Sequence, residues 1–83
     1  MSDSILADIK LYTGLIKSED KSIDEHLYYL ASLYKSRDTF VDERSVERRS
    51  LESQIKLHED EIKKAQENKQ FCEKEITYYI SKL

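Results

Sequence analysis

The chain has 83 residues, 37% of them charged, with no proline and a single glycine. This length sets one domain as the ceiling, and the scarcity of helix-breaking residues favours a largely helical unit. A formal net charge of −3 gives no general attraction to nucleic acid or to an acidic membrane surface. No apolar run approaches the roughly twenty residues that cross a bilayer.

An apolar stripe follows the first part of the chain, with residues spaced alternately four and three apart. This spacing averages about 3.5 residues, the period at which an α-helix keeps one stripe against a partner helix. It predicts a first helical arm over about 4–36. The apolar residues of this stripe, which we assign to the seam between two helices, are Ile5, Ile9, Tyr12, Ile16, Ile23 and Leu30.

A break within this arm is an alternative. Ser22 and Glu25 form a capping box, in which the two side chains satisfy free amides at the start of a helix. A helix starting there divides the first arm near residues 18–22. Against it, Ile16 and Ile23 stay one heptad apart, as they do in one straight helix.

The stripe lapses between about residues 34 and 50, where Arg37, Arg44 and Arg48 occupy positions that the register reserves for apolar side chains. A reversal of the chain at about 37–41 explains the lapse, with Asp38 or Thr39 as the N-cap of the next helix. Folding there pairs seam positions whose residue numbers sum to 81. The alternative is one unbroken helix, since no glycine or proline marks a turn.

A second stripe with the same spacing runs from Leu51 to Leu83 and predicts a second arm over about 42–83. His58 and Lys69 are its strongly polar members. Its assigned seam residues are Leu51, Ile55, Ile62, Ala65, Cys72 and Ile76. The fold class is therefore all-α, with residues 1–83 forming a single antiparallel two-helix hairpin of coiled-coil type.

A lone two-helix hairpin buries only one seam, which is little for a chain of this length. We therefore expect it to associate into a four-helix or larger helical assembly. Both arms carry apolar residues outside the seam, and tyrosine is common at binding surfaces because its ring buries area while its hydroxyl stays solvated. The predicted interface residues are Leu6, Leu11, Leu15, Tyr28, Tyr29, Tyr34, Leu57, Phe71, Tyr78 and Ile80. Apolar width alone does not distinguish a second copy from a helical heteropartner.

The residues capable of chemistry do not form a recognisable motif. The only two histidines, His26 and His58, lack the spacing of a zinc-binding helix, and we interpret them as seam residues that set register or loosen the coil at low pH. Lys69 is interpreted as a polar seam residue that specifies register. Cys72 fits a small buried apolar position, and a lone cysteine agrees with a reducing compartment. No catalytic residue, metal site or cofactor is predicted.

These features predict a non-enzymatic protein-protein interaction module: a small chaperone or adaptor, or a subunit of a coiled-coil assembly. In size and shape it is similar to the helical-hairpin co-chaperones of type III secretion and to the small hairpin partners of type VII substrates. The turn lacks the tryptophan-x-glycine of the latter, and the Y-x-x-x-D pattern of Tyr34 to Asp38 lies at the turn, not after a second helix.

The alternative function is a small regulator, of phage or bacterial type, that binds a nucleic-acid enzyme. Direct nucleic-acid binding is not expected, because acidic residues interleave with the arginines near the turn. No small-molecule ligand and no membrane span are expected either. No secretory signal is recognisable at the N-terminus, so we expect a cytoplasmic protein, with leaderless export by a dedicated secretion system left open.

Overall fold

The computed structural model describes residues 2–83 and consists of two helices packed against each other as a hairpin. Helix α1 spans Ser2–Asp38 and helix α2 spans Val46–Ile80. The hairpin measures 62 × 15 × 12 Å, and residues 2–83 contain no strand. The predicted all-α hairpin is confirmed, and the alternative of one unbroken helix is wrong. Within residues 2–83, neither helix is both long and apolar enough to cross a membrane.

Helix α1 is continuous, so the break considered near residues 18–22 does not occur. Ser22 lies half-buried inside the helix instead of capping a new one. Gly14 is also accommodated in the helix interior, where an added Cβ would meet nothing within 4 Å. Packing along α2 supplies most of the stability of such a helix, and it outweighs both the local capping signal and the flexibility of glycine.

The connection between the helices occupies residues 39–45, later and longer than the turn expected at 37–41. The N-cap of α2 is Ser45, whose Oγ accepts a hydrogen bond from the Arg48 amide at 3.1 Å. Asp38 and Thr39 are therefore not the N-cap. Thr39 instead donates its hydroxyl to the carbonyl of Ser36 at 2.7 Å, at the end of α1. The helix starts later because serine satisfies the free amides directly before Val46.

Polar contacts hold this connection in place. The Asp42 carboxylate accepts a hydrogen bond from the Arg44 amide at 2.9 Å, as in an Asx turn. The Arg48 guanidinium donates to the Phe40 carbonyl at 2.6 Å and to Glu52 at 3.2 Å. Arg48 occupies a position expected to be apolar because its side chain bridges the connection and the first turns of α2.

The two helices pair in a register shifted from the expected one. The residue numbers of contacting pairs sum to 84 for His26 with His58 and to 91 for Tyr12 with Tyr79, not to 81. The observed register is therefore centred near a sum of 88, which is one heptad beyond the expected 81. Because the apolar residues repeat every seven positions, the two stripes face each other equally well at either sum. The longer connection moves the point of reversal along the chain and selects the later match.

The core is a thin line of side chains along the seam. Leu30, Ile55, Ala65 and Cys72 are the buried hydrophobic residues among those described. The other eight residues assigned to the seam lie half-buried; they are Ile5, Ile9, Tyr12, Ile16, Ile23, Leu51, Ile62 and Ile76. The hairpin thus keeps much of its apolar surface in contact with solvent.

Candidate interaction surface

Aromatic contacts define one side of the hairpin. Tyr12 and His26 are fourteen residues apart on α1, and His58 and Tyr79 are twenty-one apart on α2, so each pair shares one stripe of its helix. The rings of Tyr12 and Tyr79 stack with centroids 5.9 Å apart. The Nδ1 atoms of His26 and His58 lie 2.7 Å apart. The two stripes therefore touch along the same edge of the seam.

Apolar residues of α1 lie immediately outside this edge. Leu15 and Tyr29 each follow Tyr12 or His26 by three residues, which makes them neighbours on the helix surface. The Tyr29 ring stacks on His58 with centroids 5.7 Å apart. Leu11 precedes Leu15 by four residues and extends this row. Helix α1 therefore presents three apolar side chains on the aromatic side of the hairpin.

Helix α2 contributes a matching row. The Phe71 ring meets the Tyr12 ring edge-on, with centroids 6.4 Å apart. Leu57, Phe71 and Tyr78 are separated by multiples of seven residues and therefore share a stripe. We call the combined set the apolar face; its residues are Leu11, Leu15, Tyr29, Leu57, Phe71 and Tyr78. All six are exposed, from 43% for Leu15 to 61% for Leu57.

The other predicted interface residues lie elsewhere. Leu6 shares its stripe with Asp20, which pairs with Lys69, and Ile80 lies three turns after Lys69. Both are exposed, on the side of the hairpin that carries this ion pair. The structure therefore divides the predicted interface between two sides.

The remaining two are tyrosines, and they differ in exposure. Tyr34 is half-buried, with the Arg37 guanidinium 5.2 Å above its ring. Tyr28 is 76% exposed and meets Tyr29 edge-on. Tyr28 therefore borders the apolar face, whereas a neighbouring side chain covers part of Tyr34.

Lys69 crosses the seam as half of an ion pair. Its Nζ donates to the Asp20 carboxylate at 2.7 Å. This hydrogen bond raises the pKa of Lys69; partial burial acts in the opposite direction, and the charges of Asp20 and Glu73 raise it further. The lysine thus has a defined acidic partner on α1, which the sequence alone did not identify.

Tyr79 also has a shifted pKa. Partial burial raises the pKa of its hydroxyl, and the charge of Asp8 raises it further. Its ring is held between Tyr12 on the facing helix and Tyr78 on its own, 5.4 Å away. The neutral tyrosine is therefore the form that this end of the hairpin favours.

The contact between His26 and His58 was not anticipated, because it depends on the register. In the neutral pair, one Nδ1 donates its hydrogen and the other accepts it. Among residues 2–83, no group of three or more histidine, cysteine or acidic side chains is placed to hold a metal ion. The contact itself, with ring centroids 5.0 Å apart, joins α1 to α2 across the seam.

Two exposed valines near the connection were also missed. Val41 is 92% exposed and Val46 is 78% exposed. The sequence could have indicated them, because one valine lies on each side of the charged segment 42–45. They lie at the closed end of the hairpin, beyond the last paired rings.

A shallow, open depression on the outside of α2 is lined by Gln70, Glu73, Lys74 and Thr77. Comparison of the chain with protein-family models, curated proteins and solved structures finds no match in any of the three.

Proposed function

We propose that this protein works as a non-enzymatic interaction module, which packs its apolar face against helices of another polypeptide chain. The observation that carries this proposal is the exposure of six apolar side chains, drawn from both helices, on one side of the hairpin. Contiguous exposed apolar surface is uncommon on soluble monomers and marks sites of association. Aromatic side chains are also enriched at the centres of protein interfaces.

The composition of the apolar face suits a helical partner. Leu11, Leu15 and Tyr29 follow α1, and the α2 stripe runs beside them, so the face is long and is formed by two adjacent helices. Amphipathic helices bind to apolar surfaces between helices through apolar residues spaced three and four apart. Either a chaperone or adaptor that covers a partner's helix, or a subunit of a helical assembly, uses this surface in the same way.

The proposal is tested by placing a charge on the apolar face and a matched charge away from it. Phe71→Glu buries a carboxylate in any interface formed there, whereas Val41→Glu changes an equally apolar residue at the closed end. Circular dichroism checks that both variants stay helical. Each protein is immobilised and offered both its own labelled chain and an extract of the cells that encode it.

We expect the wild type and Val41→Glu to retain the same bound chain and Phe71→Glu to lose it. Loss of binding by Val41→Glu alone contradicts the proposal, because it moves the binding site to the closed end. Binding that is equal in all three proteins contradicts it as well.

A further inference from the structure

We propose that the apolar face binds a second copy of this chain, turned end for end, to form an antiparallel four-helix bundle. This inference rests on the proposed function and names the partner. In the dimer, a two-fold axis crosses the face at the level of Ser22 and Lys64. Leu15 of each copy then packs against Tyr29 of the other, and Phe71 packs against Leu57.

The exposed area has the size that such a dimer needs. The chain has a mass of 9.9 kDa and exposes 6503 Å² to solvent. A compact monomer of this mass exposes about 5,200 Å², so the excess is about 1,300 Å². A standard interface removes about 800 Å² from each partner. The excess is therefore larger than the area that each chain loses in one standard contact.

The width of the face favours a hairpin over a single helix as the occupant. Phe71 of α2 touches Tyr12 of α1, so the exposed row on each helix lies beside the other across the seam. One helix laid between the two rows leaves the outer edge of each row exposed. A second hairpin has the same length and width as the first, and the contact buries the apolar face of both copies.

The face is also self-complementary. Ser22 lies seven residues after Leu15 and seven before Tyr29, and Lys64 lies seven residues after Leu57 and seven before Phe71. In each stripe a polar residue therefore lies midway between two apolar residues. Turning the second copy end for end about that midpoint places Leu15 on Tyr29 and Leu57 on Phe71, as an isologous two-fold contact requires, and places Tyr78 at the level of Ser50 of the other copy.

The midpoint itself allows close approach. On α1, Ser18 and Ser22 at this level have small side chains. In this arrangement α1 packs on α1 of the other copy, and α2 on α2, so all neighbouring helices run antiparallel. Antiparallel neighbours bring opposite ends of the helix dipoles together. Lys64 lies three residues after Glu61, which supplies an acidic neighbour near the axis.

Sedimentation equilibrium of the unaltered chain is the first measurement, because it requires no substitution. We expect a monomer-dimer equilibrium with no larger species. Leu15→Glu should weaken the dimer at least about tenfold, since the substitution enters the interface twice, whereas Val41→Glu should leave the dissociation constant unchanged. A wild-type chain that stays monomeric up to millimolar concentration overturns the second-copy proposal.

Cysteine crosslinking tests the two-fold axis. In a Cys72→Ala background, Ser22→Cys should form a disulfide-linked dimer on mild oxidation, because residues on the axis meet their own copies. Leu15→Cys alone should not, but a mixture of Leu15→Cys and Tyr29→Cys should crosslink. Self-crosslinking of Leu15→Cys that exceeds that of Ser22→Cys indicates a parallel dimer and overturns the arrangement.

The second-copy proposal and the proposed function fail in different ways. A monomeric wild type that still captures another protein, and loses it through Phe71→Glu, overturns only the second-copy proposal. Self-association that Phe71→Glu and Leu15→Glu leave intact overturns both, because the contact then lies outside the apolar face. A monomer that captures nothing through this face also overturns both.

Discussion

His26 and His58, the two histidines of the chain, meet across the seam with their Nδ1 atoms 2.7 Å apart. The pair lies in the middle of the hairpin, and Tyr29 of the apolar face stacks on His58. The contact therefore joins the two helices and supports one ring of the proposed interface.

Single removal of either histidine should destabilise the hairpin. His26→Ala or His58→Ala leaves the remaining ring without its partner, and we expect each to lower the free energy of unfolding by about 1 kcal/mol or more. Replacing both with leucine should be neutral or stabilising, because no polar group is then left unpaired. Urea unfolding of the three variants completes the comparison; additive losses in the double variant contradict a direct bond.

The seam and the apolar face should respond differently to truncation. Ile55 is 3% exposed and Leu57, two residues later, is 61% exposed. Ile55→Ala should lower the free energy of unfolding by about 2–5 kcal/mol, the usual cost of emptying a core position. Leu57→Ala should change it by less than about 0.5 kcal/mol in dilute solution, as at exposed sites. Thermal unfolding at low concentration measures both, and equal losses argue against the observed burial.

Tyr79 should make the hairpin sensitive to alkaline pH. Its pKa is raised in the folded state, so the unfolded chain loses this proton first as the pH rises. The stabilising contribution is thus complete at neutral pH and is lost as the pH climbs through about 10 and above. Tyr79→Phe removes the ionisation and keeps the ring. Between pH 8 and 11 its stability should fall less steeply than that of the wild type; parallel profiles exclude this role.

The pKa of Lys69 is also raised in the folded state, because its ammonium group is hydrogen-bonded to Asp20. Its contribution to stability is likewise present below its ordinary pKa of about 10.4 and is lost above the pKa of the folded state.

Asp20→Lys should destabilise the hairpin by placing two cations across the seam, and Asp20→Lys with Lys69→Asp should restore stability. Lys63→Asp serves as the control because it lies outside the seam. High salt should reduce all these differences. A double variant as weak as Asp20→Lys excludes the pair.

The sequence predicted the two arms and the apolar stripe on each, because a 3.5-residue apolar period is typical of helices that pack along one stripe. The sequence could not predict the register of the two helices, because their apolar stripes face each other equally well in two registers that differ by one heptad. The contacts of His26 with His58 and of Lys69 with Asp20 depend on that register. They became visible only once the connection at residues 39–45 was known.

The interface prediction shows the same dependence. Apolar residues outside the seam can be read from the sequence, but their side of the hairpin follows from which stripe faces the other helix. The contacts of Tyr12 with Phe71 and of Tyr29 with His58, together with the helical spacing, place six of them together. Leu6 and Ile80 lie on the opposite side. Local signals such as Asp38 and the capping box at Ser22 gave way to packing and to the stronger cap at Ser45.

Hydroxyl-radical footprinting of the associated protein tests the apolar face most directly, because oxidation reports the solvent exposure of each side chain. The oxidation rates of Tyr29, Phe71 and Tyr78 should fall severalfold between the free and the associated chain, whereas that of Val41 should not change. Protection of Val41 and Val46 with unchanged rates at Phe71 and Tyr78 contradicts association through the apolar face.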